Sequence, residues 1–118
     1  MTLSLVIPAY NEAGRIAGTV THVCRYLDLQ KYSWELIVVI DGGPQAAAEE
    51  ARAAAGARSN VRVIENDVNR GKGYSVRRGF HDARGDRLVF IDAHLSPPLQ
   101  GLEGMLARFD AGADVVIA

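Results

Sequence analysis

Asn69-Arg70-Gly71-Lys72-Gly73 places a lysine between two glycines, and about twenty residues later Phe90-Ile91-Asp92-Ala93-His94 presents a carboxylate and an imidazole one residue apart. Glycines let backbone amides approach an anion closely, and the ammonium of Lys72 adds a full positive charge beside them. Asp92 and His94 are oxygen and nitrogen donors of the kind that hold divalent cations. The combination suits a phosphorylated ligand with its metal ion. Pro8-Ala9-Tyr10-Asn11-Glu12 and Asp41-Gly42-Gly43 add a tyrosine ring and two further carboxylates. For Asp92 and His94 a second reading stays open: Ser96-Pro97-Pro98 opens a helical stretch, and short polar residues collect at helix N-termini.

These residues need elements to bring them together. Leu3 to Ile7, stopped by Pro8, and Leu36 to Ile40, stopped by Asp41-Gly42-Gly43-Pro44, are continuous apolar runs of the kind found in parallel strands buried on both faces. Val61 to Ile64, Arg87 to Ile91 and Asp114 to Ile117 form three more. Ile16, Val20, Val23 and Leu27 recur at helical spacing, Ala46 to Ala55 is alanine-rich, and Leu99, Leu102, Leu106 and Phe109 make another apolar stripe. Strands alternating with helices predict an α/β fold: a Rossmann-like, mostly parallel sheet with helices on both faces. Ligands of such sheets bind outside the carboxyl ends of the strands. Pro8 to Glu12, Asp41, Asn66 to Gly73 and Asp92 to His94 all follow strands in this reading, so they are expected to converge. Neither a Gly-x-Gly-x-x-Gly turn nor a P-loop is present, and the phosphates must be held in another way.

The totals narrow the classes. With 118 residues the chain makes one domain or part of one, and 48% apolar with 23% charged residues is ordinary for a globular protein. A net charge of -1 argues against nucleic acid as a partner, because duplex affinity rests on surplus Lys and Arg. The lone Cys24 and the absence of an apolar leader predict a reducing, cytoplasmic compartment. No apolar run approaches the roughly 20 residues needed to span a bilayer, so any membrane association is peripheral. Cys24 shares the apolar stripe of the first helix and is expected to be buried, whereas His22, His81, Arg77 and Arg78 are expected on solvated surfaces. Tyr26, Tyr32 and Trp34 are expected to cover the edge of the core, and no Ser-His-Asp arrangement supports hydrolysis by a serine nucleophile.

Through Val6-Ile7-Pro8-Ala9-Tyr10-Asn11-Glu12, Ile37-Val38-Val39-Ile40-Asp41-Gly42, Asn69 to Gly73 and Phe90 to Ser96, the chain resembles the nucleotide-binding half of family 2 glycosyltransferases with the GT-A fold. Polyprenyl- and dolichyl-phosphate mannose and glucose synthases are the members most similar in these motifs. The resemblance implies that Pro8, Tyr10, Glu12 and Asp41 hold the base and ribose of a GDP- or UDP-hexose, and Lys72, between its two glycines, is expected near the diphosphate. It places Asp92 and His94 at a divalent cation, Mn or Mg, and implies hexose transfer to an acceptor such as polyprenyl phosphate at a membrane surface.

Three departures from the family pattern stand out. Ile40 takes the place of the first of two adjacent Asp residues, Gly43 takes the place of a Ser, and His94 stands where a second metal-binding Asp is expected. Imidazole shifts preference toward manganese or softer ions and adds no negative charge. The acceptor-binding half is expected beyond residue 118, so residues 1–118 are read as a single nucleotide-sugar-binding domain incomplete at its C-terminus. A strand edge left open there would favour a homodimer. A rival reading is a non-catalytic nucleotide-binding or interaction module derived from such an enzyme. A sugar nucleotidyltransferase is disfavoured, since Pro8-Ala9-Tyr10 replaces its glycine-rich first loop.

Overall fold

The computed structural model describes residues 1–93 and 100–110. The elements run β1 (Thr2–Ala9), α1 (Ile16–Asp28), β2 (Ser33–Asp41), α2 (Gln45–Ala55), β3 (Val61–Asn66), α3 (Lys72–Asp82), β4 (Arg87–Phe90) and α4 (Gln100–Asp110). The four described strands form one parallel sheet in the order β3-β2-β1-β4. Asp114 to Ile117, expected as a fifth strand, lies outside the described residues.

The apolar runs produce this sheet because both of its faces are covered. On one face Leu3, Leu5 and Ile7 of β1 and Leu36, Val38 and Ile40 of β2 pack with Ile16, Val20, Val23 and Leu27 of α1. Ala47, Ala48, Ala51 and Ala55 of α2 and Leu102 and Leu106 of α4 join the same cluster. On the other face Val6, Ile37 and Val39 meet Phe80 of α3, with Phe90 beside them. Each such Leu, Ile or Phe stabilises the fold by about 1.5–3 kcal/mol when fully buried. Gly79 lets α3 come close: a Cβ there would stand 2.5 Å from a methyl of Val6. Cys24 is buried in the first cluster, and burial raises its thiol pKa.

β1 does not stop at Pro8. It continues to Ala9, with Pro8 paired to Val39 and Ala9 to Ile40. Residues two apart along a strand turn their backbone groups to the same neighbour, and the Val6 carbonyl accepts the Ile91 amide on the β4 side. Pro8 therefore turns its missing N–H toward β4, just past the last paired residue there, where no ladder donor is required. β2 and β3 also extend beyond their apolar runs, taking in Ser33, Trp34 and Glu35 at one end and Glu65 and Asn66 at the other.

At the amino ends of the strands, buried Glu35 gathers β1, β2, β3 and the turn before β4. Its carboxylate accepts Ser4 Oγ, Arg62 Nη1 at 2.8 Å and the Arg84 amide at 2.6 Å. Among the described residues no helix is long and apolar enough to cross a membrane.

Candidate functional site

The strand order reverses at β1: β2 and β3 lie to one side and β4 to the other. Loops diverge at such a point, leaving a crevice at the carboxyl ends of the strands. A cavity of about 160 Å³ opens there, lined by Pro8, Ala9, Tyr10 and Glu12 after β1, Asp41 at the end of β2, Lys72 and Ser75 on α3, and Asp92 after β4. The structure thus brings together Pro8, Tyr10, Glu12, Asp41, Lys72 and Asp92. His94 lies outside the described residues. The cavity is smaller than the roughly 300–1,000 Å³ of sites that enclose drug-sized ligands.

The loop after β1 is held from inside. Asn11 adopts a left-handed backbone with φ 59°, and the Glu12 carbonyl accepts the amides of Arg15 and Ile16 at 2.9 Å each, starting α1. Glu12 is almost fully buried and forms an ion pair with Arg15 Nε at 3.0 Å, while Arg15 Nη2 donates to the Asn11 carbonyl. Glu50 of α2 accepts the Gly14 amide at 2.7 Å. Tyr10, 54% exposed, is left at the rim with a ring face available for stacking.

Asp41 organises the opposite wall. One carboxylate oxygen accepts Asn66 Nδ2 at 2.8 Å and the Arg70 amide at 2.6 Å, and the other accepts the Gly71 amide at 2.9 Å. Burial would raise the pKa of this group, but the donors from Arg70, Asn66, Gly71 and Ser75 outweigh it and hold the carboxyl below its ordinary value. Asn66 also donates to Ser75 Oγ at 2.9 Å and accepts Arg78 Nη1 at 2.8 Å. Gly42, at φ 72°, lets the 66–71 loop lie against β2: a Cβ there would meet the Asn69 backbone nitrogen at 2.6 Å.

Lys72 is the first residue of α3, and its Nζ lies 3.0 Å from Asp92 Oδ2 and 5.5 Å from the centre of the Phe90 ring. Asp92 follows β4, whose last ladder bond joins the Ile91 amide to the Val6 carbonyl. Thr19 Oγ1 of α1 donates to the Ala93 carbonyl at 3.2 Å and fixes the next residue. Among the described residues no three His, Cys, Asp or Glu side chains form a metal cage. Asp92 nevertheless suits a hard cation: it offers a half-exposed carboxylate oxygen at the cavity, and magnesium-like ions are commonly held by one or two carboxylates plus ligand phosphates.

Sequence reasoning missed Ser75 and Thr19 and took Asn66 only as the start of the loop after the third strand; all three place the site without charge of their own. The signal for Asn66 was register, since a parallel β2–β3 pair sets Asp41 beside it. Arg78, expected on a solvated face, is exposed yet donates to the Glu65 carbonyl and Asn66 Oδ1. Arg77, His22 and His81 are exposed as expected.

The model of "Glycosyl transferase family 2" matches residues 4–118. Glycosyltransferase AglD of Haloferax volcanii is 35% identical over 112 residues, covering 93% of this chain and 18% of that protein. Dolichyl-phosphate beta-glucosyltransferase of Drosophila melanogaster is 38% identical over 101 residues, covering 79% and 31%. The chain therefore spans less than a third of either relative. Among solved structures, the mannosyltransferase PcManGT of Pyrobaculum calidifontis, in complex with GDP-Man and Mn2+, superposes with a TM-score of 0.72 at 23% identity over 88% of this chain and 31% of that one. Glucosyl-3-phosphoglycerate synthase of Mycobacterium tuberculosis, with Mn2+, UDP and glucosyl-3-phosphoglycerate, gives 0.72 at 25% identity over 92% and 39%.

Proposed function

The chain belongs to glycosyl transferase family 2, and from that premise we propose that it forms the donor-binding part of a hexosyltransferase. It takes a GDP- or UDP-hexose with Mn2+ or Mg2+ and serves transfer to an acceptor such as polyprenyl phosphate. The observation that carries this reading is the meeting of Tyr10, Lys72 and Asp92 at one crevice where the strand order reverses.

In this reading the base lies against the Tyr10 ring at the rim, with Pro8 and Glu12 forming the wall beneath it. Asp41 acts by holding the amides of Arg70 and Gly71, which sets the start of α3. The diphosphate lies by that helix terminus, where the unpaired amides of the first turn and the Lys72 ammonium favour an anion. Asp92, with His94 as its expected companion, holds the divalent cation, which when bound stabilises charge on the departing nucleoside diphosphate. The acceptor oxygen attacks the anomeric carbon as the bond to that diphosphate breaks. The same reading places the protein in the cytoplasm, working against the membrane face that displays a lipid phosphate, and as a homodimer.

Calorimetric titration of GDP, UDP and their hexose conjugates, with and without Mn2+, tests the proposal. Metal-enhanced binding of one nucleotide series is expected, and failure of every nucleotide to bind would overturn it. Ile40, buried where the family pattern has an Asp, favours a second reading in which the donor is bound without turnover. Release of free hexose or its transfer to polyprenyl phosphate would exclude that alternative.

A further inference from the structure

Lys72 and Asp92 are presented to each other by anchored backbone. Asp41 grips the Gly71 amide immediately before Lys72, while the Ile91 amide and the Ala93 carbonyl are bonded on either side of Asp92. The 3.0 Å ion pair is therefore a product of the framework, and the Phe90 ring flanks the ammonium with a face that attracts cations. A divalent ion that takes Asp92 Oδ2 has to displace the ammonium. A diphosphate draws the same ammonium away, because two phosphate groups carry more negative charge than one carboxylate.

Resting on the donor-site reading above, we propose that Lys72 is a counter-ion gate that couples the two ligands. It covers Asp92 until a nucleoside diphosphate claims the ammonium, so Mn2+ binds weakly alone and more tightly with the nucleotide. Coupling of this kind is reciprocal: Mn2+ strengthens nucleotide binding by the same factor. Lys72 acts on the metal through Asp92 and is a positioning residue for it.

The test is Mn2+ titration followed by the electron paramagnetic resonance of free ion, alone and with GDP or UDP, each corrected for the Mn2+ that the nucleotide holds in protein-free solution. Wild type is compared with Lys72→Met, which keeps the apolar stem, Lys72→Arg, which keeps the charge, and Asp92→Asn. Lys72→Met is expected to tighten Mn2+ binding without nucleotide by about two- to fivefold, the range of a half-exposed ion pair. It is also expected to weaken nucleotide binding and reduce the coupling factor. Lys72→Arg should retain the coupling, and Asp92→Asn should abolish Mn2+ binding without nucleotide and leave only the uptake of the nucleotide itself when it is present. Unchanged or weaker Mn2+ binding by nucleotide-free Lys72→Met overturns the gate while leaving the donor site intact. A wild type that binds nucleotide but never Mn2+ overturns the gate and the metal assignment together, and one that binds neither overturns the donor site as well.

Discussion

The Asp41 carboxylate accepts the Gly71 amide at 2.9 Å, so the end of β2 directly holds the residue that precedes α3. Asp41→Asn puts an NH2 group where one of two accepting oxygens faces backbone donors. The variant is expected to lose about 1–3 kcal/mol of stability in urea unfolding, the cost of leaving a buried donor unsatisfied. Hydrogen exchange should locate the change at the Arg70 and Gly71 amides, which would open faster than the strand amides of β1.

Two glycines should not tolerate alanine, for different reasons. At Gly79 the added Cβ would press on the Val6 methyls at 2.5 and 3.0 Å, and a buried β-branched side chain has little rotamer freedom to move aside. Overpacking of about 1–3 kcal/mol is expected for Gly79→Ala, read as a lower denaturation midpoint. At Gly42 the neighbours are backbone atoms of Val68 and Asn69, and the residue sits at φ 72°. Gly42→Ala is expected to displace the 66–71 loop and to weaken nucleotide binding more than Gly79→Ala does, as calorimetry would show.

Acid should unfold the protein through two carboxylates. Burial would raise Glu35, but the Arg84 amide, Ser4 hydroxyl and Arg62 guanidinium outweigh it and hold its pKa below the ordinary value, as the Arg70 and Asn66 donors do for Asp41. A folded pKa below the unfolded one means that the stabilisation is complete above the unfolded value, about 4 for carboxylates, and is lost as pH falls through the folded value. Stability in urea should therefore hold as pH falls from 7 to about 5 as far as these two groups are concerned, then decline more steeply in wild type than in Glu35→Gln or Asp41→Asn. An equal decline in all three would contradict the assignment.

α4 is tied to the rest of the fold by two tyrosines sharing one acceptor. Tyr26 and Tyr32 both donate to Glu103 Oε2, at 2.7 and 2.9 Å, and burial raises both phenol pKa values, with the Glu103 bond adding to it. Tyr26→Phe and Tyr32→Phe are each expected to cost about 0.5–1.5 kcal/mol. A thermal-unfolding cycle over the two changes should be non-additive, because each hydroxyl polarises the oxygen used by the other.

The sheet was legible because buried parallel strands leave continuous runs such as Leu36 to Ile40. Strand ends were less so: Ser33 and Asn66 look like loop residues, and only pairing with a neighbour makes them strand. The cavity lining was legible because turns after strands must share one edge, which brought Tyr10, Lys72 and Asp92 together. The hydrogen bonds that Asp41 makes within the protein were not. A carboxylate after a strand reads as a ligand group, and its bonds to the Arg70 and Gly71 amides depend on a loop whose path follows from Gly42 and Asn66. Glu35 was equally silent, since its partners Ser4, Arg62 and Arg84 come from distant parts of the chain.

Asp41 grips main-chain amides and leaves the side chains of Val68 and Asn69 exposed, while the Arg70 guanidinium is paired with Asp67 and lies over the Tyr74 ring. The side-chain chemistry of Val68 and Asn69 is thereby uncoupled from the scaffold that carries it. A library randomised at Val68 and Asn69 should fold as the parent does, making this loop the place to alter the protein's surface without rebuilding it.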